Sequence, residues 1–244
     1  MTANHLEKLS IDYLELLNDK EDFNVIINAG ESLNTKIFRA HSNVLRYRSL
    51  YFRNKLESTS KDVNNIKTIN LEHVSIQQFE FIIKYIYGGV VLLENQETSF
   101  IFELMFITSE FLLEDLTKHI ENHLIEIKAN WLRLHFTQIY QKSFQNNKFQ
   151  NLQEWCNDFL VKYPDKIFNS EDFTSIQLVL LIKRDDLQMK EIEIWKYIIK
   201  WGIAQNPGLS SNGPENWTNE NFLTLFFFYF FFFLYNEVYP LILY

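Results

Sequence analysis

A mixed α+β domain followed by an all-helical one is the fold class that this 244-residue sequence predicts, and three observations lead to it. Two short β-prone runs, Phe23 to Asn28 and Thr35 to Ala40, flank Ala29-Gly30-Glu31-Ser32-Leu33-Asn34, a stretch of hairpin length. Most of the remaining apolar residues recur at helical spacing. Six Gly and four Pro in the whole chain are too few for a loop-rich all-β fold.

Composition narrows the function classes. With 47% hydrophobic and 22% charged residues, the chain can bury a sizeable core, and its length is read as two domains of ordinary size. A formal charge of −8 argues against a general nucleic-acid binder, because phosphate attraction needs clustered positive charge. Lys36, Arg39, Arg46, Arg48, Arg53 and Lys55 lie close in sequence and read as a solvated face. A single Cys156 allows no internal disulfide and fits a reducing intracellular compartment, cytoplasmic or nuclear. No basic-then-apolar signal segment opens the sequence.

Residues 5 to 17 read as an amphipathic helix with Leu6, Leu9, Tyr13 and Leu16 on one stripe and Glu7, Asp12 and Glu15 off it. A helix this short is marginal alone and has to dock on something. After the β-prone runs, Ser42 and Ser49 are each placed to cap a helix start, with Val44, Leu45, Phe52 and Leu56 on faces that would cover the hairpin. Thr68 to Leu71 reads as a third strand. Ser75-Ile-Gln-Gln78 is a capping box opening a helix over 75 to 87, which Gly88-Gly89 closes with a positive-φ residue. Helices over about 98 to 109 and 112 to 127 follow, the second with the stripe Leu113, Leu116, Ile120, Leu124 and Ile127.

The spaced set Phe38-Arg-Ala-His41, Leu45, Ser49 and Phe52 resembles the signature of the BTB/POZ domain, a small β-sheet covered by helices. Phe79 to Gly88 is similar to a further phrase of that family. The family usually carries Asp-Val in the first strand where this chain has Asn24-Val25; Asn keeps the hydrogen-bonding shape and loses the charge. The resemblance implies that Phe38, His41, Leu45, Ser49 and Phe52 serve the fold. It also implies that the first helix, through Leu6, Leu9, Tyr13 and Leu16, docks on a second copy.

Beyond Asn130 the helical pattern continues, with Leu152, Trp155 and Phe159 on one stripe and a turn at Ile167 to Phe173 capped by Ser170. Arg184, Asp185, Leu187, Glu191 or Glu193, Trp195 and Trp201 resemble the signature of the BACK domain, with Asp185 or Asp186 capping the helix that carries both Trp residues. The expected division is an N-terminal helix (1–22), a BTB/POZ domain (23–127), an all-α BACK domain (128–205), a linker (206–221) and a Phe-rich tail (222–244). The uninterrupted apolar run from Phe222 to Tyr235 is short for a membrane span. Three readings stay open for it: translated non-coding sequence, a membrane tail and a buried helix.

Catalytic chemistry is not found. His119 and His123 stand at the i, i+4 spacing of metal ligands, but Glu121 is out of place for the zinc-protease motif and no third ligand is evident, so both read as surface histidines. His41 reads as a packing and hydrogen-bonding residue, and Cys156 as a small buried apolar one. No phosphate loop or nucleophile elbow occurs, so no enzyme, cofactor or metal is expected. The resemblance implies a homodimeric adaptor that brings a target to a cullin-based ubiquitin ligase; the alternative is a structural or regulatory oligomer, such as a transcription cofactor, without ligase association. The cullin-facing segment would include Asn54, Lys55, Glu57, Ser60 and Asp62, where a hydrophobic-x-Glu motif has no clean copy. The target is not readable, and no recognition repeat follows: either the chain is a fragment of a longer product, or the domains present recognise the target.

Overall fold

The computed structural model describes residues 6–19, 21–31, 34–145, 148–163 and 217–223, and residues 192, 196, 199 and 203 singly. Its elements are α1 (Leu6–Asn18), β1 (Val25–Ala29), β2 (Lys36–Ala40), α2 (Ser42–Arg48), α3 (Leu50–Ser58), β3 (Lys67–Leu71), α4 (Ile76–Gly88), α5 (Thr98–Glu110), α6 (Glu114–Ile127), α7 (Ala129–Leu134), α8 (Phe136–Phe144) and α9 (Gln150–Lys162). The chain divides into two compact units, one of Met1–Leu134 with Asn146–Leu152 and one of His135–Gln145 with Gln153–Tyr244.

In the first unit the sheet order is β2-β1-β3, with β1 antiparallel to β2 and parallel to β3. The hairpin supplies the first pairing, while a parallel third strand requires the crossover made by α2 and α3. Val25, Ile27 and Ala29 alternate inward along β1, joined by Ile69 and Leu71 of β3. Onto this face pack Leu45, Phe52, Leu56 and the Phe79, Ile82, Ile83 and Ile86 side of α4, all buried. Phe52, Phe79 and Phe111 meet edge to face, with ring centroids 5.4 to 6.4 Å apart, a geometry worth more than area burial alone.

The capping box of Ser75 and Gln78 is present in both directions, and Gly89 closes α4 at φ +68°. Ser49 caps α3 by accepting from Phe52 N. Ser42 does not cap α2: its own N–H is the orphan donor, and the Asn24 side chain accepts from it at 2.8 Å while donating to Ser42 Oγ at 2.9 Å. The first turn of α2 is therefore capped from the strand side, by the residue that stands where the resemblance led us to expect Asp. Ile127 also departs from its expected stripe. Leu113, Leu116, Ile120 and Leu124 are buried, whereas Ile127, in the last turn of α6, is 66% exposed.

Buried Glu121 of α6 accepts from the backbone N–H of Leu152 at 2.8 Å, so a carboxylate caps the start of α9. In the second unit, Phe136 packs against Tyr140 and Phe159, Trp155 stacks on Phe159, and Ile139 and Cys156 are buried. Thr218 and Asn221 cap a helical turn over 219–223, across the expected boundary between linker (206–221) and Phe-rich tail (222–244). The turn at Ile167 to Phe173, the Arg184 to Trp201 signature and the tail beyond Leu223 lie outside the described residues. Among the described residues, no helix is long and apolar enough to cross a membrane.

Candidate functional site

Two surfaces of the first unit carry the residues that the sequence singles out. The first is built on α1. Gly88 at the end of α4 lets α1 approach closely: a Cβ there would stand 2.7 Å from Leu14 Cγ, and Ser10 Oγ donates to the Gly88 carbonyl at 2.6 Å. Leu14 and Leu17 thus face the body of the domain, yet no residue of α1 is fully buried. Leu6, Leu9 and Tyr13 lie on the adjoining flank, 66%, 51% and 39% exposed, and Leu16 is half-buried. Leu6, Leu9 and Tyr13 share a cleft of about 540 Å³ with Val44 and Tyr47 of α2 and Tyr87 of α4. Tyr47 is 84% exposed, so the cleft and its rim form a contiguous apolar patch of the kind that marks a protein–protein contact.

The second surface is the end of α3 and the turn after it. Asn54, Lys55, Glu57, Ser60 and Asp62 are all exposed. The last carbonyls of α3, which no intrahelical N–H can reach, accept from side chains: Thr59 Oγ1 and Ser58 Oγ donate to Lys55 O at 2.7 and 3.0 Å, and Lys67 Nζ donates to Leu56 O. Asp62 then pins a tight turn by accepting from the N–H groups of Asn64 and Ile66. The turn presents Val63, fully exposed, a residue that sequence reasoning passed over because a lone valine in a polar loop carries no periodic signal. Glu57 pairs with Arg46 at 3.1 Å.

The family-motif residues sit behind these surfaces and hold the fold. Phe38 packs edge-on against Phe79 at 4.8 Å, and Leu45, Ser49 and Phe52 are buried. Tyr87 receives the His41 backbone N–H at 2.8 Å and lies 3.0 Å from His41 Nδ1, fixing the strand-to-helix corner. Burial pushes the Tyr87 phenol up to about 12, while the His41 contact pulls the other way. His41 therefore packs and bonds within the fold. Cys156 is fully buried and its thiol is pushed up to about 12, chiefly by burial; at neutral pH it is a thiol and not a nucleophilic thiolate.

His119 is exposed and His123 half-buried, with the pKa of His123 lowered first by burial and then by the charges of Lys128 and His119. Among the described residues, no three His, Cys, Asp or Glu side chains are grouped to hold a metal ion. The basic run stays exposed, as a solvated face does, and part of it bonds to its own neighbours: Arg48 donates to Ile86 O, Arg53 to Arg46 O, and Lys36 pairs with Glu80 at 2.6 Å.

Residues 13–128 match the sequence model of the BTB/POZ domain family. BTB/POZ domain-containing protein 9 of Bos taurus is 23% identical over 172 residues, an alignment covering 68% of this chain and 27% of that protein. This chain thus spans about a quarter of that relative. Among solved structures, the BTB domain of zebrafish PATZ1 is 17% identical with a TM-score of 0.41, covering 52% of this chain and 98% of the other. The BTB domain of human gigaxonin is 20% identical with a TM-score of 0.38, covering 49% of this chain and 93% of the other.

Proposed function

We propose that this chain, which carries a BTB/POZ domain over residues 13–128 and with it a protein-interaction module, works as a homodimeric adaptor. The observation that supports the dimer is the α1 face: Leu6, Leu9 and Tyr13 remain exposed along an apolar cleft, on the flank of the helix next to the Ser10 and Leu14 side that is docked on α4. A second copy presenting the same face would cover both clefts about a two-fold axis, which is how an isologous interface closes. Removing that apolar area from water, at roughly 25 cal/mol per Å², is the driving term.

On this reading the end of α3, with Asn54, Lys55, Glu57, Ser60 and Asp62, meets a cullin scaffold. The helices after α6 continue into an all-α BACK domain that serves the target. The rigid side-chain caps on the last turn of α3 suit such a surface, because little entropy is lost on docking. A second reading is a regulatory or structural oligomer without ligase association. It is favoured by the polar character of Glu57 to Asp62, beside which the lone exposed Val63 is the apolar contact left for a cullin.

Two differently tagged copies, co-expressed and purified through one tag, test the dimer: the adaptor reading expects both tags in the eluate and loss of the second in Leu9→Glu. Retention on an immobilised cullin N-terminal domain, abolished by Val63→Asp, separates the two readings. Co-elution without cullin retention leaves the regulatory oligomer, and single-tag elution removes the dimer.

A further inference from the structure

Among the described residues, the sheet order leaves the outer edge of β2 without a strand partner, and no backbone hydrogen bond ties residues 36–39 to an element other than β1. An open edge of alternating N–H and C=O groups is a template for another extended chain. Beside this edge, two cavities of about 430 and 480 Å³ share Leu17, Asn18, Glu80 and Lys84, and so form one trough between the end of α1, the flank of α4 and β2. Apolar contacts are available at both ends: Ile37 is 64% exposed on the edge and Leu92 71% exposed on the far wall.

Charge decides what fits. Lys36 and Glu80 neutralise each other at 2.6 Å, and Asp19, which accepts from Glu21 N, is the second acidic group of the trough against the two further basic ones, Arg39 and Lys84. Arg39, which lies over the Phe23 ring, and the exposed Lys84 have no acidic partner among the described residues. A second copy pairing edge to edge would set Lys36 and Arg39 of one chain beside those of the other, which is the charge arrangement that keeps strand edges apart. In a chain of net charge −8, this trough is a local positive exception.

We propose that the β2 edge and its trough form a docking site for an extended, acidic segment of another protein, added to the sheet as a fourth strand. Backbone bonds to residues 36–40 hold it, alternate apolar side chains enter the trough, and its carboxylates meet Arg39 and Lys84. The site takes in the C-terminal end of α1 but shares no residue with the Leu6, Leu9 and Tyr13 cleft or with the end of α3, so it stands or falls independently of the adaptor reading.

The test uses the full chain and a fluorescein-labelled peptide, EVDITVEVDI, against its basic counterpart KVKITVKVKI. The acidic peptide should bind at least about tenfold more tightly, with the preference reduced at high salt. Deuterium exchange should show new protection at residues 36–40. The double variant Arg39→Glu with Lys84→Glu, both exposed and checked for folding by circular dichroism, should reverse the preference and gain the basic peptide. Equal binding of both peptides, or protection confined to α1, overturns the proposal. So does protection of residues 36–40 without peptide that grows with protein concentration, because the edge is then filled by a second copy.

Discussion

Replacing Ser49 by Ala strikes the joint between α2 and α3. The side chain is 3% exposed, accepts from Phe52 N at 3.3 Å and donates to the Phe111 carbonyl at 2.9 Å. Alanine leaves the backbone path unchanged and removes both bonds. Loss of the N-cap costs about 1 kcal/mol, and leaving the Phe111 carbonyl short of a donor costs about 1–2 kcal/mol more. The sum, about 2–3 kcal/mol, is a large share of the 5–15 kcal/mol or so that holds a domain together. Urea unfolding followed by aromatic fluorescence should show a lower midpoint at unchanged slope. Ser49→Asp keeps the acceptor and loses the donor, so it should also fall, while Ser49→Thr should recover most of the loss. A change below about 0.5 kcal/mol in Ser49→Ala, the level of an ordinary surface substitution, would refute the reasoning.

Three further outcomes are expected. The Tyr87 phenol ionises near 10.0 when unfolded and near 12 in the fold, so its stabilising contribution is complete below pH 10 and is lost as pH rises toward 12. The stability gap between the protein and Tyr87→Phe should therefore shrink by up to about 2–3 kcal/mol between pH 9 and pH 12, measured by denaturant titration at each pH. Cys156 should resist a disulfide reagent such as DTNB at pH 8 in the native protein and react fully in guanidinium; fast native reaction would place the thiol at the surface. Gly88→Val drives a side chain into Leu14 and should lift α1, seen as faster amide exchange over residues 6–18 with the exchange of β1 unchanged.

Local chemistry was the legible part of this fold. The capping box at Ser75 and Gln78 and the closing Gly89 involve groups within four residues of each other, so residue types at fixed spacing were enough. Ser49 was readable as a cap for the same reason, but its second bond, to a carbonyl 62 positions away, was not. Ser42 was misread because the group that caps α2 arrives from the residue before β1: Asn24 is distant in sequence, and only the sheet brings it there. The α1 stripe of Leu6, Leu9 and Tyr13 was legible as apolar periodicity, whereas the docking side through Ser10, Leu14 and Leu17 was missed. The signal for it lay in Gly88, a helical glycine that serves close packing. The turn at Val63 left no pattern to read, since its shape comes from Asp62 accepting two backbone N–H groups.

Sedimentation equilibrium of the full chain across a hundredfold range of concentration is the most direct trial of an adaptor built on the α1 face. A mass of two chains that falls toward one on dilution, and falls at higher concentration in Leu9→Glu, is the result expected. A single-chain mass at every concentration, unchanged by that substitution, would contradict it.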